Sequence, residues 1–169
     1  CSRSADQVGR LVLMMLGEPR EESHFGPSDL ICTALQLTNH WQDVRRDLIE
    51  RDRLYIPAEC HDIPEFQHRL RRTIEDGYAP DQTFLSLWRS LMKQLVDRTW
   101  PGFERSEDLL RRVPREIGPM IWLFAAGGAE VLRQIERINY ETVLFRPRLG
   151  AIGKIRLLRQ ARRCSKVVA

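Results

Sequence analysis

Apolar residues return along this chain at intervals of three and four. Val8, Leu11, Val12 and Met15 make one such stripe. Phe84, Leu87, Trp88, Leu91, Leu95 and Val96 make a second, and Ile117, Ile121, Leu123, Phe124, Val131, Leu132, Ile135 and Ile138 a third. This is the period of an α-helix. No run alternates with period two, and no Asn-Gly or Asp-Gly joins two apolar runs as a hairpin would. Asp76-Gly77 follows a helical segment and reads as its stop. The pattern predicts an all-α chain. A first helix, capped by Ser4 or Asp6, runs to about Leu16, and a polar loop from Gly17 to Pro27 leads to a long helix capped by Ser28. A charged surface helix follows from about Pro64 to Asp76. A fourth runs from Asp81 or its neighbours to Trp100, where Pro101-Gly102 bends or ends it, with a further helical stretch to Arg112. A fifth starts at Pro114 or Arg115 and carries Gly127-Gly128 in its middle, which permits either tight helix contact or a bend. A sixth spans about Leu149 to Arg163.

The long helix, from Ile31 towards Pro57, is the informative one. Gln36, Asn39, Asp43 and Asp47 stand at i, i+3, i+7 and i+11, which places them within about 80° of arc on one stripe. Their neighbours Leu35, Leu37 and Trp41 leave that stripe. Spacing alone also fits a solvated polar face. If the helix is buried, two carboxylates one turn apart need a positive compensator. A hard divalent cation supplies one: Mg²⁺ takes oxygen ligands, typically one or two carboxylates with phosphate and water. Arg45, Arg46, Arg51 and Arg53 lie around the pair, and guanidinium groups suit a polyanionic substrate. The stripe thus predicts one wall of a metal–diphosphate site, with all four side chains turned into a single cavity.

The residues from Gln36 to Pro57 resemble the second aspartate-rich motif of the squalene/phytoene synthases, Q-x-x-N-x-x-x-D-x-x-x-D followed by R-x-Y-x-P. Gln36, Asn39, Asp43, Asp47, Arg53, Tyr55 and Pro57 match in order over 22 residues. The segment from Cys1 to Leu13 resembles the part of these enzymes that lines the prenyl channel, at Val8 and Gly9. The stretch from Val113 to Gly150 is similar to the late helices of the hopanoid-pathway branch, which makes hydroxysqualene or squalene. The resemblance implies the C-terminal part of an isoprenoid-synthase helical bundle, one domain and an incomplete one, because the family's first aspartate-rich motif is not found in it. It implies Mg²⁺ held by Asn39, Asp43 and Asp47. It also implies substrate contacts from Gln36, Asn39, Arg46, Arg53, Val8 and Gly9. Asp43, Asp47 and Tyr55 take the catalytic roles; Tyr55 offers either a ring face for a carbocation or a hydroxyl for the departing diphosphate. The implied reaction is conversion of presqualene diphosphate to hydroxysqualene or squalene. NADPH enters only for squalene, and phytoene or dehydrosqualene synthesis from smaller prenyl diphosphates is the alternative. A non-catalytic helical subunit pairing with another chain is the alternative of a different class.

Composition changes this picture at few points. At 169 residues with 43% hydrophobic and 30% charged residues, the chain has the make-up of a soluble globular domain. Cys1, Cys32, Cys60 and Cys164 form no close pair and read as reduced thiols of a cytoplasmic protein. Gly9 in a helix interior costs ~1 kcal/mol relative to Ala, which close approach of a substrate or a neighbouring helix would justify. His40, on the edge of the polar stripe, reads either as a group tuning the site or as a packed rim residue. His24, His61 and His68 read as solvated, and Glu104 with Asp108 as a salt-bridged surface face.

The net charge of +4 is uneven. From Thr142 onward there are eight Lys and Arg and no acid, which leaves 19 basic against 23 acidic residues elsewhere. An acidic body with a basic tail argues against a nucleic-acid binder. Lys154, Arg156, Arg159, Arg162, Arg163 and Lys166 accompany Ile152, Ile155 and Leu158 in the sixth helix. That helix either docks its apolar face on the bundle or rests peripherally on the inner face of a membrane. No apolar run reaches the ~18 residues that span a bilayer.

Overall fold

The computed structural model describes residue 1, residues 3–77 and residues 81–167, the last five by backbone alone. The helices are α1 (Ala5–Met15), α2 (Glu22–Arg51), α3 (Phe66–Asp76), α4 (Gln82–Glu104), α5 (Ser106–Leu110), α6 (Gly118–Arg137) and α7 (Ala151–Val167), with a 3-10 turn at Ala58–Cys60. No strand occurs among the described residues, as the helical period requires. None of the described helices is long and apolar enough to cross a membrane. Cys1, Cys32 and Cys60 are free thiols; the thiol of Cys164, like the side chains of Arg163 and Lys166, lies outside the described residues.

Contacts group the chain into two compact units. One comprises Cys1–Thr38, Thr99–Glu130 and Leu149–Ala169, the other Asn39–Arg98 and Val131–Arg148.

The first unit is built on close helix approach. A Cβ on Gly9 would stand 2.5 Å from Cys32 Sγ and 2.6 Å from Ser28 Oγ, so the absence of a side chain lets α1 lie against α2. The seam is locked by polar contacts: Arg10 pairs with Asp29, its guanidinium lies 5.1 Å from the Phe25 ring, and Thr33 donates to Asp6 at 2.8 Å. These contacts explain why α2 begins at Glu22 and runs through Pro27, where sequence predicts a loop and a Ser28 cap. Proline removes one i→i−4 bond, but the docked first turns hold the helix. Ser28 is a buried interior residue and caps nothing.

The same reason keeps α4 helical through Pro101, expected as its bend or end. Gly102 and Phe103 are buried, and a Cβ on Gly102 would meet Ala34 Cβ at 2.6 Å and the Leu30 carbonyl at 2.8 Å. Of the paired glycines in α6, Gly128 faces Leu35 and the Phe103 ring, while a Cβ on Gly127 would meet nothing within 4 Å.

The second unit has an aromatic centre: Phe66, Phe84 and Trp88, with ring centroids 6.0 to 6.3 Å apart. The α3 helix is not the wholly surface helix its charges suggest. Phe66, Leu70, Thr73 and Ile74 form a buried stripe between arginines. Gly77, with φ of 63°, ends it as Asp76-Gly77 predicts. Asp81 starts α4, accepting the Phe84 N–H at 3.0 Å. The N-terminus of α6 falls later than expected, because Pro114 to Gly118 form a turn closed by Gly118 N–H on the Pro114 carbonyl.

Candidate active site: a carboxylate pair under three arginines

The second half of α2 supplies the site. Asp43 and Asp47 are 6% and 5% exposed, which removes the solvated-face alternative. Their compensation is in place. Arg46, between them in sequence, reaches both, with Nη2 2.7 Å from Asp43 Oδ2 and 3.0 Å from Asp47 Oδ1. Arg51 Nη1 stands 3.3 Å from Asp47 Oδ1. Arg146, more than 100 residues downstream, donates from Nε to Asp43 Oδ1. The hydrogen bond to Asp47, with the charge of both carboxylates, holds the Arg46 guanidinium above its ordinary pKa against the opposing effect of desolvation. Two negative and three positive groups leave the cluster one charge positive, the sign that suits a polyanion.

Arg146 is the residue that sequence reading missed. Nothing in its neighbourhood is periodic, and it sits in the irregular segment after α6. Tertiary contacts fix that segment at both ends. Asn139 and Tyr140 take positive φ, 55° and 63°, and turn the chain off α6. The indole of the fully buried Trp88 donates to the Tyr140 carbonyl at 3.0 Å, and Arg89 pairs with Glu141. Further on, Gln42 Nε2 donates to the Pro147 carbonyl at 2.7 Å, which seats residue 146 beside α2. The only sequence signal was two arginines flanking a proline, Arg146-Pro147-Arg148, in a chain with a buried carboxylate pair.

The exit of α2 is organised by one left-handed residue. Asp52 has φ of 51°, and the chain reverses so that the Arg53 N–H reaches the Asp47 carbonyl at 3.1 Å. The reversal brings Tyr55 back along the helix onto His40, with ring centroids 4.0 Å apart and planes 21° apart. Burial lowers the pKa of His40, against the smaller upward pull of Asp47 and Asp43. Tyr55 is 38% exposed and the next residue, Ile56, is buried.

The four residues of the polar stripe share a direction but not an environment. Gln36 is half-buried, Asn39 exposed, and Asp43 and Asp47 buried beneath guanidinium groups. Of the surrounding arginines, Arg46 and Arg51 contact the carboxylates, Arg45 turns to the Ile74 carbonyl of α3 at 3.1 Å, and Arg53 is exposed. Of the three histidines expected to be solvated, His68 is exposed beside Glu65, but His61 is half-buried with its ring tilted against Phe66 at 3.8 Å and His24 is half-buried 3.7 Å from Glu18.

The donor set fits a hard cation. Two carboxylates one turn apart, with the Asn39 carboxamide a turn earlier, match the small number of protein oxygens that Mg²⁺ takes alongside phosphate and water. Among the described residues no cluster of three or more His, Cys, Asp and Glu surrounds one point. This chain therefore offers a pair of carboxylates, and Arg46 and Arg146 occupy the oxygens a cation would use.

The first unit holds an apolar cavity of about 180 Å³, lined among others by Val8, Gly9, Val12, Leu35, Met120 and Phe124. Val8 and Gly9 are among its lining, and Gly9 also makes the helix contact with Ser28 and Cys32.

Residues 1–154 match the squalene/phytoene synthase family, and the chain belongs to that family. The fold is similar to that of squalene synthase HpnC from Alicyclobacillus acidocaldarius, with a TM-score of 0.63 and 32% identity over 83% of this chain and 49% of that one. Among curated proteins, it is 35% identical to a 15-cis-phytoene synthase of Synechocystis sp. over 107 residues, 63% of this chain and 29% of that protein. It is 41% identical to a hydroxysqualene synthase of Sinorhizobium fredii over 60 residues, 36% of this chain and 20% of that protein. The chain thus spans about half the length of the solved relative and matches less than a third of either curated one.

Proposed function

We propose that this chain carries one acidic wall, and part of the apolar lining, of a Mg²⁺-dependent enzyme that converts presqualene diphosphate to hydroxysqualene or squalene. The observation that carries this is the buried Asp43–Asp47 pair bridged by Arg46. Asp43, Asp47 and Asn39 would hold the metal, which when bound draws charge off the diphosphate leaving group. The chain's own residues do the rest. Arg46 and Arg146, which lie on the carboxylates, would present guanidinium forks to phosphate oxygens. Gln36 and Arg53 border the same helix and its exit and add polar contacts to the diphosphate. The Tyr55 ring, held against His40, offers its face to a cation or its hydroxyl to the diphosphate. Val8 and Gly9 line an apolar space for the prenyl chain and keep water from it. NADPH is needed only where squalene is the product. The setting is cytoplasmic, with peripheral contact to a membrane through the basic C-terminal segment.

The test is calorimetric titration of the full chain with inorganic pyrophosphate, with and without Mg²⁺. Metal-dependent binding that Asp43→Asn weakens by about tenfold or more supports the site; equal binding by that variant overturns it. Product analysis with farnesyl and presqualene diphosphates then separates this reaction from phytoene or dehydrosqualene synthesis, a second reading favoured by the longer match to a phytoene synthase. A non-catalytic role, pairing with another helical chain, is favoured by apolar surface on α1, where Val8, Leu11 and Met15 are all exposed. It predicts pyrophosphate binding that is absent or independent of Mg²⁺.

A further inference from the structure

The α7 helix docks by the opposite face from the one its sequence suggests. Ile152, Ile155 and Leu158 are the natural apolar stripe, yet they are 85%, 50% and 51% exposed. The side turned inward carries Gly153, Leu157 and Gln160, half-buried, and Ala161, buried. At about 100° per residue the inward group covers roughly 100° of arc, and the three aliphatic residues cover about 120° on the far side. Arg159 and Arg162 are exposed and fall between those aliphatic residues on the outward face, and the exposed Arg156 flanks Ile152 at its edge. A helix that only decorated the surface would place its large aliphatic side chains inward, because leaving them in water forgoes the gain of burial.

We infer that the outward face of α7 seats the protein on an anionic lipid surface. Alternating arginine and aliphatic side chains suit the boundary between headgroups and acyl chains. The aliphatic groups enter the acyl region while the arginine stems lie along it and their guanidinium groups stay at the phosphates. The charge is complementary, since Lys154, Arg156, Arg159 and Arg162 of α7 are exposed and the helix carries no acid. A nucleic acid would use the cations and leave three aliphatic side chains in water. A partner helix would call for a continuous apolar stripe, which the arginines interrupt. The inference extends the membrane contact in the reading above and rests on it for its purpose, delivery of a bilayer-soluble isoprenoid, but its evidence is α7 alone.

The experiment is sedimentation of the full chain, in EDTA and without diphosphate, with vesicles of phosphatidylcholine or of an equal mixture with phosphatidylglycerol. Binding to the mixed vesicles is expected to be about tenfold or more tighter than to neutral ones and to fall with added salt. The combined Ile152→Asn, Ile155→Asn and Leu158→Asn variant weakens it by about tenfold or more with helical content unchanged. Combined Arg156→Gln, Arg159→Gln and Arg162→Gln removes the preference for the anionic surface. Should the aliphatic variant misfold, Leu158→Trp decides: the emission of the introduced indole shifts to the blue on mixed vesicles and is quenched by spin-labelled acyl chains. Equal binding to both vesicles overturns the inference, as does an indole at that position that stays aqueous. So does retention on single-stranded RNA, unaffected by the aliphatic substitutions, without vesicle binding. Vesicle binding with no metal-dependent pyrophosphate binding would sink the proposed function and leave this inference standing; the reverse outcome would do the opposite.

Discussion

The two halves of α2 solve different problems with the same helix. Up to Thr38 it is held by small residues and shape. Ser28 and Cys32 take the space that Gly9 leaves open, Ala34 lies against Gly102, and Leu35 against Gly128. From Asn39 onward the buried Trp41, Val44 and Leu48 are joined by charge, with Asp43 and Asp47 satisfied by Arg46, Arg51 and Arg146. The first half forms part of an apolar cavity and the second a compact ionic cluster. Van der Waals contact is short-ranged and tolerates no added atom, whereas an ion cluster exchanges partners provided each charge stays compensated. Packing therefore suits an apolar lining, and exchangeable charge suits the metal and diphosphate site proposed above.

The largest test of this contrast is on the ionic half. Asp43→Asn keeps the shape of the side chain and loses the charge. In a complete enzyme carrying the proposed site, it is expected to lower metal-dependent turnover of a prenyl diphosphate by about a hundredfold or more while circular dichroism remains that of the parent. Near-normal turnover at saturating Mg²⁺ would remove Asp43 from the site.

On the packed half, the neighbouring glycines of α6 should behave oppositely. A Cβ on Gly128 would stand 2.5 Å from the Phe103 ring, so Gly128→Ala should cost about 1–3 kcal/mol in denaturant unfolding. Gly127→Ala meets nothing within 4 Å and should gain about 0.5–1 kcal/mol. Equal effects would show that packing does not govern this half.

Arg146→Gln leaves the buried Asp43 with one guanidinium in place of two. A destabilisation of about 1–2 kcal/mol is expected, below the cost of a fully stranded buried charge, because Arg46 remains. A stability unchanged from the parent would mean that Arg146 contributes no compensation.

The smallest effect is a pH dependence away from both. The Phe84 N–H, followed by Arg69, holds the Asp81 carboxyl below its ordinary pKa. A carboxylate depressed in the folded state stabilises above its unfolded pKa, and that contribution is lost as pH falls through the folded value. Asp81→Ala should lower the melting temperature at neutral pH, and the difference should vanish in strong acid. A difference that persists there would contradict the assigned cap.

Much of this protein was written in its sequence. Helical period, the Gly77 stop, the Asp81 start and the motif from Gln36 to Pro57 are local properties, set by residues a few positions apart, and so they survive without tertiary information. The tertiary structure decided what depends on residues far apart in the chain. Docking on α1 carried α2 through Pro27, and packing of Gly102 carried α4 through Pro101, because contacts made elsewhere outweigh one missing hydrogen bond. It put Arg146 on Asp43 through the anchors at Trp88, Arg89 and Gln42, none of which shares a periodicity with it. It also turned α7 so that Gly153 and Ala161 face inward and Ile152 faces out: hydrophobic spacing marks a stripe, but which stripe is buried depends on the surface it meets.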